Sequence, residues 1–103
     1  MLSQLRKAPT DLALATRVIN AMARSEETRV AFTRHARDRQ QERGVHDAWV
    51  LDVLSRGEVT RADEPQHPHQ YHNYRMRLED TYDRVDLAVT IPQESRLLVV
   101  TVI

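Results

Sequence analysis

Residues 28–59, TRVAFTRHARDRQQERGVHDAWVLDVLSRGEV, decide how this chain is built. TRVAF at 28–32 is too short for a helix and is β-prone. Thr33 has the side chain of an N-cap, RHARDRQQER continues as a charged helix, and Gly44 stands where a left-handed C′ residue belongs. After Val45, His46 or Asp47 starts a second helix, DAWVLDVLSR. Its apolar stripe is Trp49, Val50, Val53 and Leu54, and Gly57 ends it. Two short helices joined through G-V-H form a helical hairpin, each half closed by glycine.

Upstream, TDLALATRVINAMA at 10–23 reads as a further helix, capped by Thr10 or Asp11, with Leu12, Ala15, Val18, Ile19 and Met22 at helical spacing. Downstream the period changes. EVTRAD at 58–63 reads as a strand, and EPQHPHQ at 64–70 as a polar loop with two prolines. YHNYRMRLE at 71–79 alternates, placing His72, Tyr74, Met76 and Leu78 on one face and Asn73, Arg75, Arg77 and Glu79 on the other. After the turn DTYD, RVDLAVTI sends Val85, Leu87, Val89 and Ile91 inward. After PQES, the unbroken run RLLVVTVI at 96–103 suits a central strand covered on both faces. Helices followed by strands on short turns predict an α+β fold, with two or three N-terminal helices packed on a three- to four-stranded antiparallel sheet. The 103 residues make one domain, 1–103, with a leading helical segment at 1–27 and the core at 28–103.

Composition narrows the function classes. There is no cysteine, so neither disulfides nor thiolate metal sites are available. The opening MLSQLRKAPT lacks the apolar stretch of a signal peptide, and no apolar run approaches the ~20 residues that span a bilayer. The expectation is a soluble cytoplasmic protein with no membrane partner. Fifteen basic residues balance fifteen acidic ones, which argues against a protein that coats DNA nonspecifically. Fourteen of those fifteen are Arg, Lys7 being the exception. A GC-rich genome produces such a bias, and so does selection for the planar fork that grips phosphate. There is no Gly-rich phosphate loop, no Ser-His-Asp order and no paired-carboxylate signature, so no cofactor is expected.

On the helix after Thr33, residues four apart share a face, which puts His35, Arg39 and Arg43 in a line. Arg37 lies about 200° from His35 and points largely away. Arg34, Asp38 and Glu42 make a second stripe, with an Arg34–Asp38 pair expected. A helix this polar needs something to pack on or to bind. Cations with a titratable imidazole suit a polyanion, and the matching chemistry is metal-free phosphodiester cleavage. A base takes the proton of a ribose 2′-hydroxyl, guanidinium groups stabilise the oxyanion, and an acid protonates the leaving oxygen. Equally, His35 is a structural histidine and the arginines are surface ion pairs.

The stretch FTRHARDRQQERGVHDAWVLDVLSRGEV resembles the signature of a widespread small bacterial family of unknown function. The residues carrying the resemblance are Thr33, His35, Ala36, Arg39, Arg43, Gly44 and Val45, then Leu54 and Gly57, Tyr74 and Arg75, and the closing Val100, Thr101 and Val102. It covers about residues 28–103. The leading helix is also similar to that of MqsR-like toxins. The resemblance implies a fold like the RelE/ParE-like toxins, a family that includes mRNA endoribonucleases and also members that inhibit gyrase and cleave nothing. It implies an RNA substrate, with or without the ribosome, and a cognate antitoxin as partner. His35, Arg39, Arg43, Tyr74 and Arg75 are then the catalytic candidates, and Arg34, Arg77, His69 and His72 the RNA-binding ones. A non-catalytic protein-binding module on a toxin-like fold is the alternative.

His67, His69 and His72 in HPHQYH have a spacing that suits zinc or nickel, but a solvated loop is the simpler reading, and no metal is assigned. His69 or His72 could instead serve the same site as a second acid or base. Tyr71, Tyr74 and Tyr82 either stack on bases or pack across strands. Arg75 and Arg77 are either partners of Asp86 or phosphate contacts.

Overall fold

A computed structural model describes residues 1–65 and 71–103. Four helices, α1 (Leu2–Lys7), α2 (Leu12–Arg24), α3 (Arg34–Arg43) and α4 (Asp47–Arg56), accompany five strands, β1 (Arg29–Phe32), β2 (Glu58–Asp63), β3 (Asn73–Glu79), β4 (Arg84–Gln93) and β5 (Arg96–Val102). The sheet order is β1-β5-β4-β3-β2. Neighbours run antiparallel except β1, which pairs parallel to β5 from Arg29↔Arg96 to Phe32↔Val99. The α+β class therefore holds. The sheet, however, has five strands rather than three or four and is mixed, and the helices number four rather than two or three. The fifth strand is TRVAF, whose partner lies more than sixty residues away at the other end of the chain. Local pattern cannot reveal such a pairing, because period reports which side a residue faces and not which strand it meets. The extra helix is α1, a short segment anchored by buried Leu5.

Local chemistry sets the element ends. The Asp11 side chain accepts from Leu14 N at 3.0 Å and caps α2. The α2 stripe Leu14, Ala15, Val18 and Ile19 is buried. Asn20 of the same helix donates to Leu54 O at 2.7 Å and Gly57 O at 3.2 Å, finishing α4 from outside. Thr16 accepts from Val59 N at 2.9 Å and ties α2 to β2. One cluster gathers buried residues from all four helices, Leu5, Ile19, Ala36, Val50, Val53 and Leu54 among them, against Val59, Tyr74, Met76, Leu87, Val89, Leu97 and Val99 of the strands. The opposite sheet face carries Arg61 and Asp63 of β2, Asn73, Arg75 and Arg77 of β3, Asp86, Ala88 and Thr90 of β4, Leu98 and Thr101 of β5, and Ala31 of β1. No helix packs there among the described residues. RLLVVTVI is accordingly covered on one face only: Leu97, Val99 and Val102 are buried, while Leu98, Val100 and Thr101 are half-buried. No helix of the described residues is long and apolar enough to cross a membrane.

The two glycines do different work. Gly44 takes φ +64°, the left-handed conformation that ends α3, with open space where a Cβ would sit. Gly57 has an ordinary φ, but a Cβ there would meet Val53 O at 2.3 Å and Arg77 O at 3.0 Å. Gly44→Ala should cost about 1–2 kcal/mol, the left-handed penalty alone. Gly57→Ala should cost more, because α4 and β3 must move apart. Urea unfolding of the two variants gives the order, and an equal or smaller loss for Gly57→Ala would refute the close-approach account.

Candidate functional site

The β1–β5 pairing stops at Val99, so the last stretch of β5 has a free edge. The α3 helix fills it. The Thr33 hydroxyl donates to Val100 O at 2.6 Å while accepting from Ala36 N at 3.0 Å, so a single side chain caps the helix and docks it on the strand. Further along, Arg39 Nε donates to Val102 O at 3.3 Å. These contacts fix the rotation of α3. Ala36 and Gln40 turn inward and are buried.

The Arg37 flank faces the helical layer. Its guanidinium lies 3.7 Å from the centroid of Phe32 and bonds Asp47 Oδ1 at 2.6 Å. Gln40 completes this knot, donating to Val45 O at 3.1 Å and Asp47 Oδ1 at 2.9 Å while its own carbonyl accepts from Arg37 at 3.0 Å. Hydrogen bonds from Gln40 and Arg37 hold the Asp47 carboxyl below the usual carboxylate value, and burial opposes them weakly. Gln40 is a buried polar hub that the sequence reading passed over. Its signal was position: it falls one turn from Ala36 on the apolar side of an otherwise charged helix.

The opposite flank carries the line anticipated from spacing. His35 and Arg43 are exposed, and Arg39 is half-buried. This flank meets the sheet at the β5 edge, through the bond from Arg39 to Val102 O. Arg39 also meets Glu42 at 3.4 Å. The expected Arg34–Asp38 pair does not form among the described residues, and α3 uses Arg37–Asp47 and Arg39–Glu42 instead. Arg34 stands exposed at the first turn. The hollows that open around Trp49, Thr16, Gly44, Arg96 and Tyr71 include none of His35, Arg39 and Arg43. Among the described residues, His35 and Arg43 lie exposed outside these hollows.

On the helix-free face most cations are matched. Arg77 Nε donates to Asp86 Oδ1 at 2.9 Å and Arg84 Nε lies 3.4 Å from Asp86 Oδ2, with Asp86 itself buried. The bond to Asp86 raises the Arg77 pKa further. Arg61 pairs with Asp63 at 2.6 Å. Arg75 sits between these groups, beside Arg61 in one direction and Ala88 in the other. Its Nε is buried and has no hydrogen-bond partner among the described residues. A charged donor left so is costly, about 1–3 kcal/mol or more, unless something arrives to accept it.

The remaining candidates divide. Tyr74 is buried on the helical side and its hydroxyl donates to Pro9 O at 2.9 Å, with burial raising its pKa. That hydroxyl is thus a strut between β3 and the α1–α2 link, away from the α3 flank. His72 is largely buried, lies 4.0 Å from Glu64 and stacks on Tyr74 at 6.4 Å between centroids. His67 and His69 lie outside the described residues. Among the described residues no three His, Asp or Glu side chains converge as metal ligands. Tyr82 is fully exposed, and Tyr71 lies under the Arg6 guanidinium at 4.5 Å.

Among known proteins, the model of one family, the domain of unknown function DUF4258, matches residues 32–103. No curated protein and no solved structure matches.

Two outcomes follow from the hydrogen bonds. Tyr74→Phe should lower stability by about 1 kcal/mol, the net worth of one buried hydrogen bond, and leave any RNA cleavage unchanged. Slower cleavage at equal stability would return the hydroxyl to the chemistry. Because the folded-state pKa of Asp47 is depressed, its contribution is fully present above the unfolded value of about 4 and is lost as pH falls through the lower folded value. Asp47→Asn should therefore be less stable than the parent at pH 7, and the gap should close below about pH 4. Urea unfolding at pH 7, 5 and 3 tests the sign, and a gap independent of pH would refute it.

Proposed function

The chain belongs to the DUF4258 family, whose domain has no assigned function, and on that footing we propose that it is a toxin-like, metal-independent endoribonuclease whose RNA lies across the helix-free sheet face. The observation that carries this reading is Arg75. Its Nε is buried and has no hydrogen-bond partner among the described residues, on a sheet face that no helix covers among those residues. The Arg75 side chain as a whole is half-buried rather than sealed, and guanidinium is the side chain best shaped to hold a phosphodiester oxygen. The α3 flank, docked on the β5 edge through Arg39, would add Arg39 and Arg43. Arg39 spends donors on Val102 O and Glu42 and keeps its other N–H groups for a phosphate. His35 supplies the proton transfer: neutral imidazole takes the 2′-hydroxyl proton, or imidazolium protonates the leaving oxygen. Arg34 extends the cationic edge. Arg77 is held by Asp86 and positions that carboxylate rather than the RNA. The likeness to RelE/ParE-like and MqsR-like toxins, a cytoplasmic place of action and a cognate antitoxin belong to the same proposal.

A second reading is a non-catalytic module that binds a protein partner. It is favoured by the exposure of His35, which has no hydrogen bond to orient its ring among the described residues.

Induced expression of the parent chain should arrest growth and degrade RNA. His35→Ala should reduce cleavage by about a hundredfold or more, the usual worth of a general acid or base. Arg75→Ala should weaken RNA binding and lower the salt dependence of log K by about one phosphate contact. Equal growth and equal RNA integrity for parent and His35→Ala would end the nuclease reading. A partner complex unaffected by His35→Ala would then favour the binding module.

A further inference from the structure

The cleft between α4 and the β3–β4 turn, of about 90 Å³, is walled differently from the RNA face. Its floor is apolar, formed by Trp49, Leu78 and Val85. Its rim is acidic, with Glu79, Asp80 and Asp83. The one cation of the lining, Arg56, is drawn aside to Asp52 at 3.5 Å. The turn that carries the rim is rigid, because Asp80 Oδ1 accepts from Tyr82 N at 2.9 Å and Asp83 N at 2.8 Å. Glu79 makes no ion pair among the described residues.

We propose that this cleft receives a Lys or Arg side chain of a partner polypeptide. A cleft of about 90 Å³ over an apolar floor has room for an aliphatic stem. Such a stem packs on the apolar floor while its charged head stays at a polar rim. A Trp face attracts a cation, and the carboxylates above it add Coulomb attraction in a partly dried site. The same carboxylates repel phosphate. The occupant is a polypeptide rather than a free amine because Tyr82, 96% exposed, stands on the turn between the two aspartates. It offers contact area to the residues on either side of an inserted side chain.

Trp49 is the chain's single tryptophan, so its fluorescence reports this cleft alone. Titration of the intact protein with acetyl-Gly-Lys-Gly-amide should shift the emission saturably, and the uncharged norleucine counterpart should bind about tenfold more weakly. The double variant Glu79→Gln, Asp83→Asn should lose most of that preference while keeping the parent circular dichroism. Equal response to the lysine and norleucine peptides, or no response to either, would overturn the proposal. So would n-butylammonium binding as tightly as the lysine peptide with Tyr82→Ala making no difference to either. None of these readouts involves RNA cleavage, so the proposal stands or falls apart from the nuclease reading.

Discussion

The mismatch in length between β1 and β5 governs this molecule. The parallel pairing covers β5 from Arg96 to Val99 and leaves the carbonyls of Val100 and Val102 without a neighbouring strand. Unpaired carbonyls at a sheet edge demand donors. The chain supplies them from the helix that begins where β1 ends: the Thr33 hydroxyl reaches one and the Arg39 guanidinium the other. The edge is thereby closed and α3 is locked in rotation. Everything said of its two flanks follows from that lock. Were α3 turned by a third of a revolution, Gln40 would leave its pocket and Arg37 would lose both Phe32 and Asp47.

Arginine serves opposite ends in this molecule. Arg37 and Arg77 are structural, each tied to a carboxylate. Arg39 is half structural, spending one donor on the backbone. Among the described residues, Arg75 is the sheet-face arginine with a buried donor and nothing to give it to. A protein whose formal charges cancel has no general attraction for a polyanion. Any affinity for phosphate would have to come from a few groups left unmatched where the others are satisfied. The number of arginines is thus less informative than the partner each one keeps.

Legibility in the sequence followed the range of the interaction. Thr33 as a cap, Gly44 as a left-handed stop and the alternation of β3 and β4 are local and read correctly from their neighbours, while the α2 stripe reads correctly at Ala15, Val18 and Ile19 but misses the buried Leu14. The Arg75–Arg77 face and the Arg77–Asp86 option were also readable, because period two assigns faces. What could not be read was long-range. The meeting of β1 with β5 made a fifth strand and a mixed sheet from a segment that looked merely β-prone. Tyr74 illustrates the same limit. Its face was clear, but its hydroxyl partner, Pro9 O, lies 65 residues away. The preference of Arg37 for Asp47 over any pair within its own helix came from the α3–α4 turn, whose geometry Gly44 sets without naming the partner.

The exposure of His35 bears on how such a site would work. An imidazole on an open helix flank has no shell of its own to fix its ring or exclude water, and preorganisation is where catalytic power resides. The substrate must then complete the site. A phosphodiester clamped by Arg75 on the sheet and by Arg39 on the helix would bridge elements that are already rigid, because α3 is bolted to β5 and β3 is paired on both sides. The bridge would hold the ribose against His35 and dry the surface between them. A neutral protein with an incomplete site would be inert toward RNA in general and active only where a structured target presents a phosphate at the right span. The openness that weakens the case for a preformed active site is therefore also a route to selectivity.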